Sequence, residues 1–287
     1  VLHGSSDSPA GSLTWDVDRF PDPENKVTQL REEQGVGLVL IEHAYVSQNL
    51  DARREMEKRG YLARACETCG ATTITKKYGG RGAMIDWSND AAGAYWHDLK
   101  REPLIELGIV GHWTDLGEPF NYDPGAWYFG FPEEGLHGHA DVHNLLNLQW
   151  SRSISQGYAR NGREQRPFVL ARSGAPGSQR YGTALWSADI GANLSSLAGH
   201  LNAQMHMSMS GVDYYGADVG GFHRGASDGD LDELYTIWMA NASAFDLPLR
   251  PHTENLCNCR ETAPDRIGHL PSNLDNVRQR YALIPTL

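Results

Sequence analysis

Short apolar runs alternate with longer amphipathic or polar segments along most of this chain. Six runs have the length and composition of buried strands, at residues 35–46, 108–117, 166–174, 183–191, 211–221 and 243–253. Longer segments with helical spacing or composition occupy residues 24–34, 89–107, 140–162, 193–210, 229–242 and 273–284. This alternation predicts an α/β fold with a parallel sheet and right-handed crossovers.

The same alternation favours a TIM barrel of the (β/α)8 type. Polar or glycine-containing residues gather where the strands end, which is where barrel enzymes carry their chemistry. A closed barrel needs eight strands, but the chain supplies six, because residues 1–23 have loop composition. We therefore expect one catalytic barrel domain over residues 1–287 that represents part of a barrel. The long connections 47–88 and 118–139 follow strands, and we expect them to be active-site loops.

Composition narrows the classes of function. The formal charge is −11, from 36 acidic and 25 basic residues, and no run is rich in Lys or Arg. These features argue against a nucleic-acid partner. No apolar stretch reaches transmembrane length and no signal-peptide pattern is present at the start, although the first residue is Val1. We therefore expect a cytoplasmic protein without a membrane partner. The sequence does not decide between a monomer and a homo-oligomer.

Two aspartates hold the most informative positions. Asp115 in GHWTDLGEP and Asp189 in ALWSADIG each lie at the end of an apolar run that leads into a loop. In a barrel, residues just past the strand ends face the active site. Two carboxylates from different strands are the minimum equipment for cleaving a glycosidic bond. An Asp at such a position also often caps a helix or bonds within a loop, so neither residue decides alone.

The wider motif set resembles a known family. The motifs occur in this order: TWDVDRFPDP (14–23), MIDWSN (84–89), WTDLGEP (113–119), RSGAPGSQRYGTALWSAD (172–189), GADVGGF (216–222) and RPH (250–252). In order and spacing they resemble the catalytic barrel of glycoside hydrolase family 31, the α-glucosidases and α-transglucosylases. The resemblance implies that the chain represents strands three to eight of the barrel. It also implies a glycosidase that releases terminal α-linked glucose from an α-glucoside or α-glucan oligosaccharide by double displacement, with retention and no catalytic cofactor.

The resemblance also assigns roles to residues. It implies that Asp115 is the nucleophile and Asp189 the general acid/base, and retention requires their carboxyl groups to be about 5–5.5 Å apart. It implies that sugar hydroxyls are bound by Arg172, Asp218 and His252, and that the pocket walls are Trp113, Trp186 and Phe222. The chain departs from the family at Ala188, where Gly is usual, and at Pro251, where many members have Asn. The first two barrel strands and the flanking β-rich domains have no counterpart in it.

Other functions remain open at this point. An α-glucosyltransferase would use the same site and would differ in whether water or a sugar hydroxyl reaches the glycosyl-enzyme. A metal-dependent barrel hydrolase would use the histidines of HGHADVHN: His137, His139 and His143. A carbohydrate-binding remnant without activity is the third alternative. Aromatic residues of the second long connection, Tyr122, Trp127, Tyr128 and Phe129, would build an acceptor platform or only pack the loop.

The four cysteines form two close pairs, Cys66 with Cys69 and Cys257 with Cys259. Each pair follows a predicted strand, so both pairs are expected at the active-site end. Two tight pairs from distant loops suit a structural zinc site with four thiolates. Disulfides between the two loops and free thiols are the alternatives.

Overall fold

The computed structural model describes residues 9–76, 80–119, 122–227, 229–254 and 262–286. The chain divides into two compact units, Val1–Thr183 (unit 1) and Ala184–Leu287 (unit 2). Each unit combines parallel strands with helical connections, in agreement with the predicted α/β class. In the part of the chain that the structure describes, no helix is both long enough and apolar enough to cross a membrane.

Unit 1 contains most of the strands. These are β1 (Val39–His43), β2 (Tyr45–Ser47), β3 (Ile74–Lys76), β4 (Gly80–Met84), β5 (Gly111–Asp115), β6 (Trp127–Phe131), β7 (Leu136–Gly138) and β8 (Phe168–Ala171). Its helices are α1 (Pro23–Gln34), α2 (Asp51–Lys58), α3 (Asp90–Trp96), α4 (Glu102–Glu106), α5 (His139–Val142) and α6 (Leu146–Arg160). A π-helical turn, His97–Arg101, joins α3 to α4.

The helices begin where the sequence supplies capping groups. Asp22 accepts a hydrogen bond from the Asn25 amide at the start of α1, and Asn89 accepts one from the Ala91 amide at the start of α3. These side chains satisfy amides that have no partner within the helix. Helix α1 ends at Gln34, and the residue that follows it, Gly35, has a φ of 66° in the left-handed region that Gly adopts without a steric penalty.

Strands β1, β5 and β8 form the parallel sheet of unit 1, with β5 in the centre. The register pairs Ile41 with Trp113 and His43 with Asp115. Because successive side chains of a strand point to opposite faces of the sheet, the ends of β1 and β5 place a different set of side chains on each face. One face carries Ile41, His43, Trp113 and Asp115. The opposite face carries Glu42, His112 and Thr114, which contact the helices.

A buried charge network lies on that helix-covered face. Arg101 Nε lies 3.0 Å and 3.1 Å from the two carboxylate oxygens of Glu42, and the two side chains are 0% and 3% exposed. His112 Nδ1 lies 3.4 Å from the same carboxylate, and its Nε2 lies 3.2 Å from the Tyr158 hydroxyl on α6. Burial raises the pKa of Glu42, but the Arg101 charge and His112 outweigh it and hold the pKa at about 2. The network therefore ties β1 and β5 to two helices.

The long connections contain regular structure that the sequence pattern did not predict. The first, 47–88, holds α2 and most of an antiparallel sheet of order β2-β4-β3. Gly82 is required in β4, because a Cβ there would lie 2.4 Å from the Val46 carbonyl oxygen. The second, 118–139, holds the hairpin of β6 and β7, and Tyr128 packs beneath it with Met84 and Leu146.

Unit 2 contains β9 (Thr183–Trp186, beginning at the last residue of unit 1), β10 (Tyr215–Gly216), α7 (Leu194–Met209), α8 (Leu231–Phe245) and α9 (Leu270–Leu283). Strands β9 and β10 pair in parallel, with Tyr215 opposite Leu185. The core of the unit packs Val219 against Leu197, Tyr235 and Trp238.

The strand predicted at 243–253 is wrong in its first part. Helix α8 continues to Phe245, because its alternating small and apolar residues suit a helix as well as a strand. The remainder forms a single parallel bridge between Arg250 and Asp218, outside any named strand.

Candidate active site

Asp115 ends strand β5, and the local backbone holds its carboxylate in place. The next residue, Leu116, has a φ of 55°, in the left-handed region that costs a non-glycine residue free energy. The Leu116 amide donates a hydrogen bond of 2.9 Å to Asp115 Oδ1. Gly117 follows, and a Cβ there would lie 1.9 Å from Asn147 Nδ2. The motif TDLG therefore requires its glycine and turns sharply directly after the carboxylate.

Two basic side chains flank this carboxylate within unit 1. His43 Nε2 lies 3.6 Å from Asp115 Oδ2, and Arg172 Nη1 lies 3.5 Å from Oδ1. Arg172 Nε also lies 3.0 Å from Glu118 Oε1. The Asp115 side chain is 15% exposed, so it is shielded from bulk water without being closed off.

These neighbours set the ionisation of Asp115. Burial raises its pKa, but the hydrogen bond and charge of His43, the charge of Arg172 and the Leu116 amide outweigh burial. The pKa of Asp115 is therefore below its ordinary value, and the group is a carboxylate at neutral pH. Burial and the Asp115 charge raise the pKa of Tyr45, so this phenol remains protonated.

Trp113 lies two residues before Asp115 on the same strand and therefore on the same face. Its side chain is half-buried, as a pocket wall requires. Unit 1 thus places Trp113 on the face of β5 that carries Asp115, and Arg172 beside the Asp115 carboxylate.

Unit 2 carries the second predicted carboxylate. Asp189 lies in the loop between β9 and α7 and is half-buried. The preceding residue, Ala188, has a φ of 62°. This conformation explains why glycine is usual there in the resembled family, because a Cβ is disfavoured in the left-handed region. Ala188 nevertheless adopts it, so the loop turns as a glycine would allow.

Asp218 and Trp186 share a neighbour in unit 2, Arg250. The Asp218 side chain is fully buried, and its Oδ1 lies 2.5 Å from Arg250 Nε. The Arg250 guanidinium also lies 4.6 Å from the centre of the Trp186 ring. Arg250 therefore links two predicted site residues.

Phe222 and His252 also lie together, with their ring centres 5.5 Å apart. The Gly220–Gly221 pair before Phe222 permits this placement. Gly221 has a φ of 79°, and a Cβ on it would lie 2.5 Å from the Ala192 Cα. At Gly221 the backbone of GADVGGF therefore passes so close to the loop that contains Ala192 that only glycine, which has no Cβ, fits there.

Three residues that lie beside predicted site residues were missed by sequence reasoning: His43 and Glu118 in unit 1, and Arg250 in unit 2. His43 and Arg250 each had a signal, since His43 ends an apolar run and Arg250 begins the RPH motif. Glu118 gave none beyond its nearness to Asp115 in the chain.

The histidines of HGHADVHN bond to their surroundings. His137 Nδ1 lies 2.8 Å from the Phe129 carbonyl oxygen, and its ring stacks on Trp127. His139 Nδ1 lies 3.1 Å from the Tyr128 hydroxyl. Among the described residues, no group of three His, Cys, Asp or Glu side chains is arranged to hold a metal ion. These contacts support a packing role for the histidines.

The cysteine prediction requires a correction. Cys66 and Cys69 form a disulfide with each other, which is neither of the linkages expected for them. Two sulfurs joined by a covalent bond are not thiolate ligands, so in this form the pair cannot bind zinc as predicted. The C-x-x-C spacing allows the link because a tight turn brings the two residues together, with the Cys69 amide donating to the Cys66 carbonyl. Cys257 and Cys259 lie outside the described residues.

Comparison with known proteins gives a consistent family. Residues 2–287 match the model for the glycosyl hydrolases family 31 TIM-barrel domain. Neutral alpha-glucosidase C of Macaca fascicularis is 27% identical in an alignment of 288 positions that covers 95% of this chain and 35% of that protein. A solved structure of glucosidase II alpha subunit is 25% identical with a TM-score of 0.82, over 98% of this chain and 30% of that one.

The fold extends to more distant relatives. The Flavobacterium johnsoniae dextranase FjDex31A, complexed with glucose, is 21% identical with a TM-score of 0.84, over 97% of this chain and 35% of that chain. These matches confirm the predicted TIM-barrel class. The chain spans about a third of the length of the curated relatives that it matches, 35% and 30% of the first two.

Proposed function

Since the chain belongs to the TIM-barrel domain of glycosyl hydrolase family 31, we propose that it carries the catalytic residues of a retaining α-glucosidase. The observation that supports this most directly is the Asp115 carboxylate, which lies at a strand end between His43 and Arg172. A nucleophile must be ionised and fixed in position, and the lowered pKa of Asp115 and its three contacts meet both conditions. The relatives named as alpha-glucosidases support the choice of substrate.

The proposed reaction has two steps. Asp115 attacks the anomeric carbon and forms a glycosyl-enzyme, while Asp189 protonates the departing oxygen. Asp189 then takes a proton from water, which attacks the same carbon and releases α-glucose. Arg172, Asp218 and His252 bind the sugar hydroxyls in this proposal, and Trp113, Trp186 and Phe222 form the walls. Catalysis needs no cofactor.

A specific experiment tests the nucleophile. The protein is incubated with a fluorinated α-glucoside that traps the glycosyl-enzyme, and the labelled peptide is mapped by mass spectrometry. We expect the label on Asp115 and none in Asp115→Asn, because a neutral amide is a poor nucleophile. A label on any other residue would overturn the assignment.

Transglucosylation by the same residues is the second candidate. It is favoured by Phe129, which lies in the 118–139 connection after β5 with half of its surface exposed. An exposed aromatic ring at the strand-end side suits an acceptor sugar. Product analysis with maltose distinguishes the two, since a hydrolase yields glucose alone and a transglucosylase yields longer oligosaccharides.

A further inference from the structure

A cavity of about 450 Å³ lies in unit 1, apart from the residues that surround Asp115. Its walls are the start of α3, the tip of the β6–β7 hairpin and the first two turns of α6. We propose that this cavity is a second saccharide-binding site that takes one or two units of a neutral oligosaccharide. The identification of that saccharide as an α-glucan rests on the proposed function.

Gln149 of α6 provides the polar group of the site. Its side chain is 7% exposed and lines the cavity, and no described residue donates a hydrogen bond to its Oε1. A buried carbonyl oxygen without a donor costs about 1–3 kcal/mol. A sugar hydroxyl is a donor of suitable size, so binding would recover this cost.

The hairpin part of the lining presents an aromatic ring, Phe129, on a fixed backbone. The Phe129 amide donates to Asp86 Oδ2 at 2.6 Å, and the Gly130 amide donates to Ser88 Oγ at 2.8 Å. Gly130 has a φ of 64°, and a Cβ on it would lie 2.1 Å from the Leu136 carbonyl oxygen. The Phe129 side chain is nevertheless 50% exposed. A rigid, half-exposed ring offers an apolar surface to the C–H face of a sugar at little entropic cost.

The charges around the cavity indicate a neutral ligand. Arg152 is paired with Asp90, and Glu133 and Glu134 lie on the hairpin side. Three acidic groups and one basic group disfavour an anion. An apolar wall with a few convergent polar groups is the usual composition of a small-molecule site. A saccharide satisfies both conditions.

The cavity lies at the side of unit 1 where the parallel strands end. Helices α3 and α6 each run back from the ends of strands to their beginnings, so their first turns lie at the strand-end side of unit 1. Asp115 lies at the same side. A bound oligosaccharide would therefore be held at the side of unit 1 where the proposed chemistry takes place.

Calorimetric titration with maltotriose tests the proposal. The parent is the Asp115→Asn protein, which binds without turnover, and the two test variants add Gln149→Met or Phe129→Ala. We expect each test variant to lose one binding event per chain, or to weaken it about tenfold. The Gln149→Met protein should keep or raise its Tm, because the unsatisfied carbonyl is removed, whereas a purely structural glutamine would lower it. Tyr214→Ala removes an aromatic ring of similar exposure outside the cavity, and it should change nothing.

The outcomes separate this site from the proposed active site. With Asp115 intact, turnover of nitrophenyl α-glucoside should be the same in the Gln149→Met protein as in the unmodified protein. Binding events of equal number and affinity in parent and test variants would overturn the proposal, as would loss of nitrophenyl glucoside turnover in the Gln149→Met protein. If the unmodified protein has no turnover at all, the proposed function fails, and the loss of a binding event in the test variants still decides the second site.

Discussion

Replacing Arg101 by Met would leave the Glu42 carboxylate buried without its cation, and we expect a large loss of stability. The two side chains are 0% and 3% exposed. Removing one partner of such a buried pair typically costs about 3–5 kcal/mol, because an uncompensated charge remains. The pKa of Glu42 gives a second value. At about 1.4 kcal/mol per pH unit, the difference between 4.5 and about 2 corresponds to roughly 3 kcal/mol, which is the net effect of burial, Arg101 and His112 on the charged carboxylate and is of the same order.

Urea unfolding at pH 7 measures the effect. Arg278→Met is the matched control, because Arg278 pairs with Asp275 at 3.3 Å while both side chains are 68% exposed. An exposed helical pair contributes about 0.3–0.5 kcal/mol, so the control should change little. The double variant Glu42→Leu with Arg101→Met should recover most of the lost stability, because no charge is then left buried.

The pH dependence has a definite sign. In the parent, the lowered pKa of Glu42 contributes stability that is complete above pH 4.5 and is lost as the pH falls towards 2. In Arg101→Met, burial without a cation should raise the pKa of Glu42, so the variant loses stability as the pH rises above 4.5. The difference in the free energy of unfolding should therefore narrow on acidification. Parallel stability curves, or a loss below about 1 kcal/mol at pH 7, would refute this account of the network.

Three further predictions concern the site. Asp189→Ala should strongly slow the hydrolysis of natural glucosides but should have little effect on substrates with good leaving groups, since only the natural leaving groups need a proton as they depart. Equal losses of rate for both types of substrate would rule out Asp189 as the general acid. The acidic limb of the pH profile of kcat/KM should lie below the ordinary carboxyl pKa of 3.8, because the pKa of Asp115 is lowered. His43→Phe should move that limb to higher pH, and an unchanged limb would show that His43 does not lower the pKa of Asp115. Gly221→Ala should unfold the protein at a lower urea concentration than Gly211→Ala, since both glycines have a positive φ and a Cβ approaches backbone only at Gly221; equal midpoints would show that the close approach can relax.

The parallel strands could be predicted because their signals are local. Each of β1, β5, β8, β9 and β10 lies within a predicted apolar run. The sheet formed by β2, β3 and β4 could not be predicted in the same way. Two of these strands have three residues each, and they depend on pairing with distant segments, which no short pattern encodes. The sequence GRGAM, which forms β4, contains two glycines and has little intrinsic preference for a strand.

The site was predictable where a motif carried it. Asp115 and Arg172, which were both named from their motifs, lie side by side, and Asp218, named from GADVGGF, lies beside Arg250. The partners of these residues were harder to predict, because a register of strands decides them: His43 reaches Asp115 only through the pairing of β1 with β5. Glu42 had a signal that could have been used. A glutamate within an apolar run such as LVLIEHAYV needs a buried cation, although the sequence does not show that it is Arg101.

Because the side chains of β1 alternate between the two faces of the sheet, the proposed activity would report whether β1 and β5 pair in the correct register. A slip of one residue between β1 and β5 would turn His43 towards the helices and Glu42 towards Asp115. The slipped molecule would bury a histidine beside Arg101 and place two carboxylates together, so it would lack a stable core, and Asp115 could not act as the proposed nucleophile. In a partly misfolded preparation, kcat per mole of protein should therefore fall in proportion to the slipped fraction while KM stays constant. Active-site titration would then count correctly aligned molecules directly.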